Sequence, residues 1–95
     1  MTIYDKAQWH IDGGESREEV LSKFKAVFAF LADTHMLSAD GKELWAGGID
    51  SSVSLHEALV KEAGNQFLKQ HYDSVINESS DSIYQRMTEL FYAAE

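Results

Sequence analysis

Ser16-Arg17-Glu18-Glu19-Val20-Leu21-Ser22-Lys23-Phe24-Lys25-Ala26-Val27-Phe28-Ala29-Phe30-Leu31-Ala32-Asp33-Thr34-His35 is the longest periodic stretch of the chain. Val20, Phe24, Val27, Phe28 and Leu31 recur at helical spacing and form one apolar stripe. Ser22, Lys25, Ala29 and Asp33 fall on the opposite, solvated face. Ser16 with Glu19 three residues on is a capping box, which satisfies free backbone donors at a helix start. A helix of about 20 residues spans roughly 30 Å, the width of a small domain. The other segments are therefore expected to pack against this one.

Outward from it, Ser38 reads as the cap of a helix over 39–46, ended by Gly47-Gly48. Ile49 and Val53 are the buried anchors of the connector that follows. Ser54-Leu55-His56-Glu57 is a second capping-box pattern, continued at helical spacing by Ala58, Leu59 and Ala63. At Gly64-Asn65 either the helix breaks and Asn65 caps a new one, which is the favoured reading, or one helix carries a weak point costing about 1 kcal/mol; beyond it Phe67, Leu68, His71, Tyr72, Val75 and Ile76 form a helical stripe. After a loop at 77–80, Ser80 or Asp81 caps a last helix with Ile83, Tyr84, Met87, Leu90, Phe91 and Ala94 on one face. In the other direction, Asp12-Gly13-Gly14-Glu15 is a turn, and Asp5 is positioned to cap a short helix through Trp9 and His10.

Proline is absent, where average usage would give about five in this length. Helix interiors exclude proline, and no alternating run of β-branched residues is long enough to argue for a strand. The reading is all-α: one domain over 1–95, a compact bundle of four to five helices with short loops.

With no cysteine, disulfides and thiolate metal sites are excluded. The start, Met1 to Lys6, lacks the pattern of a secretory signal, and the longest apolar run, Ala26 to Ala32, is far short of a membrane span. A cytoplasmic protein without membrane contact is expected. The formal charge is −8, from sixteen acids against eight bases. Phosphate-backbone binding needs clustered Lys and Arg, and here Lys6, Arg17, Lys23, Lys25, Lys42, Lys61, Lys69 and Arg86 are scattered. Nucleic acid is not the expected partner. The charge serves solubility or draws in a basic protein.

Four histidines, His10, His35, His56 and His71, invite a metal or hydrolase reading. His56-Glu57 opens like H-E-x-x-H, but Val60 stands where the second histidine is needed. His10 and Asp12, like His71 and Asp73, are two apart and face different sides of a helix. Carboxylates such as Glu18, Glu19, Asp40 and Glu57 sit at helix starts, where capping and the helix dipole explain them. G-x-S-x-G, S-x-x-K and the phosphate-loop pattern are absent. No catalytic residue, cofactor or metal is assigned. Trp9 and Trp45 stand beside glycine turns, and a part-exposed tryptophan is a preferred interface anchor.

Tyr4-Asp5-Lys6-Ala7-Gln8-Trp9-His10 resembles the opening of a family of small acidic bacterial proteins of unknown function, which begin Tyr-Asp-x-Ala-x-Trp-His. Gly64-Asn65-Gln66-Phe67 with His71-Tyr72-Asp73 is similar to that family's Gly-x-x-Phe and the Tyr-Tyr-Asp-like run after it, with His71 in place of a tyrosine. The resemblance implies no reaction or cofactor. Proteins of this kind are sometimes suspected of neutralising toxins, which points to an immunity or regulatory role and gives weight to Tyr4, Asp5, Trp9 and His10. The leading expectation is a non-enzymatic interaction protein for a basic partner, with Tyr4, Asp5, Trp9, His10 and Trp45 as candidate contacts. A homo-oligomer is left open. The alternative is a small hydrolase or metal-dependent enzyme built on His10, His56 or His71 with carboxylates.

Overall fold

The computed structural model describes residues 2–93. The chain runs β1 (Ile3–Lys6), α1 (Ala7–Asp12), α2 (Arg17–Asp33), α3 (Ala39–Gly47), β2 (Ser54–His56), a 3₁₀ turn (Glu57–Leu59), α4 (Glu62–Val75) and α5 (Ser80–Ala93). Five α-helices make it mostly helical. It is not purely so, because β1 and β2 form a two-stranded antiparallel sheet.

The expected centre is the actual one. The Ser16 hydroxyl accepts the Glu19 N–H at 3.2 Å and opens α2. Val20, Phe24, Val27, Phe28 and Leu31 are buried, and so are Phe30 and Lys23. At 100° per residue these seven cover an arc of roughly 160°, wider than a single stripe. α5 is the main partner of α2, and α4 packs on α5 and on β1. Phe30 sits among Phe67, Phe91 and Tyr84, with ring centroids at 5.2, 5.8 and 6.3 Å. Phe67 and Leu68 are buried; Leu90 and Phe91 are partly buried against the same core, while Ala94 lies outside the described residues.

α2 ends by its own backbone. His35 takes φ 58°, its N–H bonds the Ala32 carbonyl at 3.1 Å, and Met36 N–H bonds the Leu31 carbonyl at 2.8 Å. This is a Schellman-type closure in which a histidine occupies the left-handed position that glycine usually takes. Ser38 caps α3 as expected, accepting the Gly41 N–H at 3.2 Å. Ile49 and Val53 are buried anchors.

Three local expectations are corrected. The short helix through Trp9 and His10 is present as α1, but Asp5 does not cap it and lies in a strand instead: Asp5 pairs with Leu55 and Lys6 with Ser54, with an irregularity between Ile3 and Asp5. Lys6 is the N-cap of α1 and offers no side-chain cap. Ser54–Glu57 is not a capping box, because Ser54 to His56 is the strand that receives β1, and Glu57 N–H donates to the Thr2 carbonyl at 3.0 Å. Gly64-Asn65 does not break a helix, since α4 runs through it. Gly64 is there for close approach: a Cβ would lie 2.2 Å from Val60 Cγ1 and 3.1 Å from Met36 Cβ. At the last helix, Ser80 and Asp81 are the first helical residues, so neither stands outside it as a cap.

Candidate functional site

β1 and α1 carry Tyr4, Asp5, Trp9 and His10, and these side chains divide between two faces. Asp5 points inward and is buried. One of its oxygens, Oδ1, accepts the Lys6 N–H at 2.8 Å. The other, Oδ2, accepts the Tyr72 hydroxyl at 2.8 Å and lies 2.5 Å from His10 Nε2. On the far edge of the imidazole, His10 Nδ1 lies 2.6 Å from Glu15 Oε2. Glu15 Oε1 in turn accepts from Lys23 Nζ at 2.9 Å. The Phe24 ring packs against the imidazole in a T-shaped pair, with centroids 6.0 Å apart.

The result is a continuous polar chain, Tyr72–Asp5–His10–Glu15–Lys23. It ties α4, β1, α1, the following turn and α2 together. A carboxylate at each ring nitrogen makes the imidazolium the natural state, with both N–H groups donating. Two anions and two cations then alternate and the cluster is neutral. Burial by itself lowers the His10 pKa, but the hydrogen bonds and charges of Asp5 and Glu15 outweigh it and hold the group above its ordinary 6.5. The hydrogen bond from Lys23, helped by His10 and opposed by partial burial, holds Glu15 below its ordinary 4.5. Burial first, then the Asp5 carboxylate, pushes the Tyr72 hydroxyl far above its ordinary range.

A second, smaller polar group lies beside the first. The Tyr4 hydroxyl donates to Asn65 Oδ1 at 2.6 Å, and Asn65 Nδ2 donates to the carbonyls of Val60 at 3.1 Å and Glu57 at 3.2 Å. Burial and the nearby Glu57 and Glu62 raise the Tyr4 pKa. The two sequence blocks that carry the resemblance are therefore hydrogen-bonded to each other, Tyr4 to Asn65 and Asp5 to Tyr72.

Trp9 turns the other way. It is 55% exposed, with Lys6 Nζ 5.6 Å from its ring centroid. Trp45 lies on another part of the surface. It is partly buried and stacks on Phe28, with centroids 6.4 Å apart and planes 8° apart. Its ring is part of the core wall.

Of the sequence candidates, Tyr4, Asp5 and His10 belong to the polar groups, Trp9 is the outward residue of the same element, and Trp45 stands apart. His71 packs on Phe67 at 4.9 Å, and Asp73 is exposed. Glu15, Lys23, Asn65 and Tyr72 were not among the site candidates read from the sequence. Lys23 did carry a signal, a charge within the apolar arc of α2. Among the described residues, no group of three or more His, Asp or Glu is arranged to hold a metal ion. Asp5 and Glu15 grip opposite edges of one ring, so their carboxylates diverge. No protein-family model, curated protein or solved structure matches the chain.

Proposed function

We propose that this chain is a non-enzymatic protein-interaction domain of a bacterial cytoplasm, of the immunity or regulatory kind, which binds a basic protein surface through α1. The observation that carries the reading is the pairing of a 55% exposed Trp9 with a neighbouring His10 locked beneath it by two carboxylates. A large exposed aromatic on a held platform loses little freedom on binding, which is how interface anchors act. The charge of −8 supplies long-range attraction to a basic partner. Among the described residues, no helix is long and apolar enough to cross a membrane.

The same geometry weighs against His10 as the base of the hydrolase alternative. A general base needs a free acceptor nitrogen, and both nitrogens of His10 face carboxylates. No serine, threonine or second histidine stands in hydrogen-bond contact with that ring among the described residues.

The test is capture of a partner from the native organism, followed by binding kinetics. A basic partner is expected. Its association should slow as salt rises to physiological strength, where the screening length is about 8 Å. Trp9→Ala should speed dissociation, for a loss of about 2 kcal/mol or more, with the fold intact. An acidic partner, an association rate indifferent to salt, or unchanged binding by Trp9→Ala would refute the proposal.

A further inference from the structure

The turn between α1 and α2 closes on itself twice. Gly14 takes φ 101° and its N–H donates to the Ile11 carbonyl at 3.1 Å, while the Glu15 N–H donates to the His10 carbonyl at 3.1 Å. This is a Schellman closure, in which the residue after the left-handed glycine also packs on the helix it ends. That side-chain contact is ordinarily apolar. Here the 2.6 Å bond between His10 Nδ1 and Glu15 Oε2 takes its place, so backbone and side chains tie the same two residues. In the same turn the Gly13 N–H donates to the Trp9 carbonyl at 3.1 Å. Three groups face the imidazole: Asp5 of β1, with Tyr72 of α4 behind it; Glu15 of the turn, with Lys23 of α2 behind it; and the Phe24 ring of α2. Asp12, on α1 itself, is engaged by the Gln8 amide at 2.7 Å.

We propose that His10 and Glu15 form a proton-operated latch on this turn, closed by the imidazolium and released when Nδ1 gives up its proton. A neutral imidazole has one donor and one acceptor, so it satisfies only one of its two carboxylates. Their exposure decides between them. The Asp5 side chain is 8% exposed and that of Glu15 36%. A buried carboxylate stripped of a donor costs more than one that reaches water. The remaining hydrogen therefore stays on Nε2, toward Asp5. The lone pair left on Nδ1 turns the Glu15 carboxylate away, and Glu15 keeps Lys23 at 2.9 Å and gains water. One proton passes from Nδ1 to solvent, and no covalent bond besides that N–H breaks.

The two carboxylates hold the His10 pKa above 6.5, so the latch is closed below pH 6.5 and opens as pH rises through the folded value. The opening is local. Asp5, Tyr72 and the strand pairing of β1 stay in place, while the last turn of α1 loses the side-chain contact that backs its closing backbone bonds. Trp9 lends its carbonyl to that turn, so the proton on His10 sets how firmly the indole is presented. That this regulates binding rests on the interaction reading above; the latch itself does not.

The experiment uses the full chain, labelled with nitrogen-15 and free of any partner. Long-range proton–nitrogen spectra of the His10 ring, taken from about pH 5.5 to 9, read its protonation. Two protonated nitrogens are expected at the acid end and the Nε2–H tautomer at the alkaline end. Water-exchange NMR follows the amides of Gly13, Gly14 and Glu15. Corrected for hydroxide catalysis, their exchange should rise about three- to tenfold across the same midpoint, the range of a charged hydrogen bond at a part-exposed site. The Ala7 N–H, which donates to the Val53 carbonyl at 3.1 Å, should show no step. Glu15→Gln keeps the size of the side chain, and its amide both accepts from and donates to Nδ1 by turning over. The variant should keep the circular dichroism spectrum, lower the His10 midpoint and abolish the step. An Nδ1–H tautomer, exchange without a step, a step of equal size at Ala7, or a Glu15→Gln variant with the wild-type step would each overturn the proposal. Because the chain is measured alone, a failed latch leaves the interaction reading standing. Partner binding that ignores Trp9→Ala refutes that reading and leaves the latch.

Discussion

Replacing His10 by alanine removes the centre of the polar chain. The magnitude follows from what is left behind. Asp5, with a side chain 8% exposed, keeps the Tyr72 hydroxyl and the Lys6 N–H but loses the ion pair with His10. Glu15, with a side chain 36% exposed, keeps Lys23 and water. Breaking a fully buried pair costs about 3–5 kcal/mol, and the surviving partners of Asp5 reduce that to about 2–3 kcal/mol here. In urea the midpoint should fall by about 1–2 M with the slope unchanged. Asp5→Asn in the same background should recover part of the loss, because it removes the uncompensated charge.

The pH profile gives an independent check. The folded pKa of His10 lies above its unfolded value of 6.5, so its contribution is fully present below pH 6.5 and is lost as pH rises through the folded value. The folded pKa of Glu15 lies below its unfolded value of 4.5, so its contribution is present above pH 4.5 and is lost as pH falls through the folded value. Stability should therefore be greatest between about pH 4.5 and 6.5 and decline on the alkaline side. Tyrosine ionises at about 10, so measurements up to about pH 9 leave it out, and the difference between wild type and His10→Ala reports His10. His10→Ala should flatten the alkaline decline. A wild-type stability that is level from pH 6 to 9, or a His10→Ala cost under about 0.5 kcal/mol, would refute the argument.

Phe28→Ala should cost about 3–5 kcal/mol by denaturant unfolding, since Phe28 is fully buried and supports Trp45; a loss under about 1 kcal/mol would contradict its place in the core. Gly41→Ala should cost at least about 1–3 kcal/mol, because the new Cβ would stand 2.1 Å from the Leu59 carbonyl oxygen, a backbone atom that can yield only by moving the 3₁₀ turn. His35→Gly should raise stability by up to about 1 kcal/mol, because glycine takes the φ of 58° without the Cβ penalty; destabilisation would show that His35 makes a compensating contact.

Helices were legible where local signals and tertiary needs agree. Ser16 and Ser38 cap the helices that their positions imply, and the stripe of α2 is buried where its spacing puts it. Legibility failed where distant contacts redirected the local signal. Ser54-Leu55-His56-Glu57 has the letters of a capping box, yet Glu57 Oε1 takes the N–H of Thr2 at 2.9 Å, across the whole intervening chain. Asn65 has the letters of a helix break. Instead its amide reaches from within the first turn of α4 to two carbonyls and accepts from Tyr4. β1 is four residues long and irregular, too short for period-2 alternation to declare it. The candidate site was half legible for the same reason. Tyr4, Asp5 and His10 share one short block, but the partners that define their role, Glu15, Lys23, Asn65 and Tyr72, come from three other parts of the chain.

These long-range bonds say what holds the amino-terminal segment. A two-stranded sheet is marginal by itself, and β2 has only three residues. Polar side chains do most of the fastening: Asp5 reaches Tyr72, 67 positions away, and Tyr4 reaches Asn65, 61 positions away. Such bonds are directional and leave β1 one register, since a slip of one residue would turn Asp5 outward and bury the side chain of a neighbour. An apolar residue at position 5 could fill the same space without fixing that register as tightly. The buried charges of the clamp thus add specificity to the apolar contacts that Ala7 and Leu55 make with the core centred on α2. Trp9 inherits that order. It follows Asp5 by four residues and precedes His10 by one, so the same interactions that seat β1 against α4 also set the direction in which the indole leaves the surface. Loosening the clamp would cost the domain stability and the exposed ring its fixed orientation together.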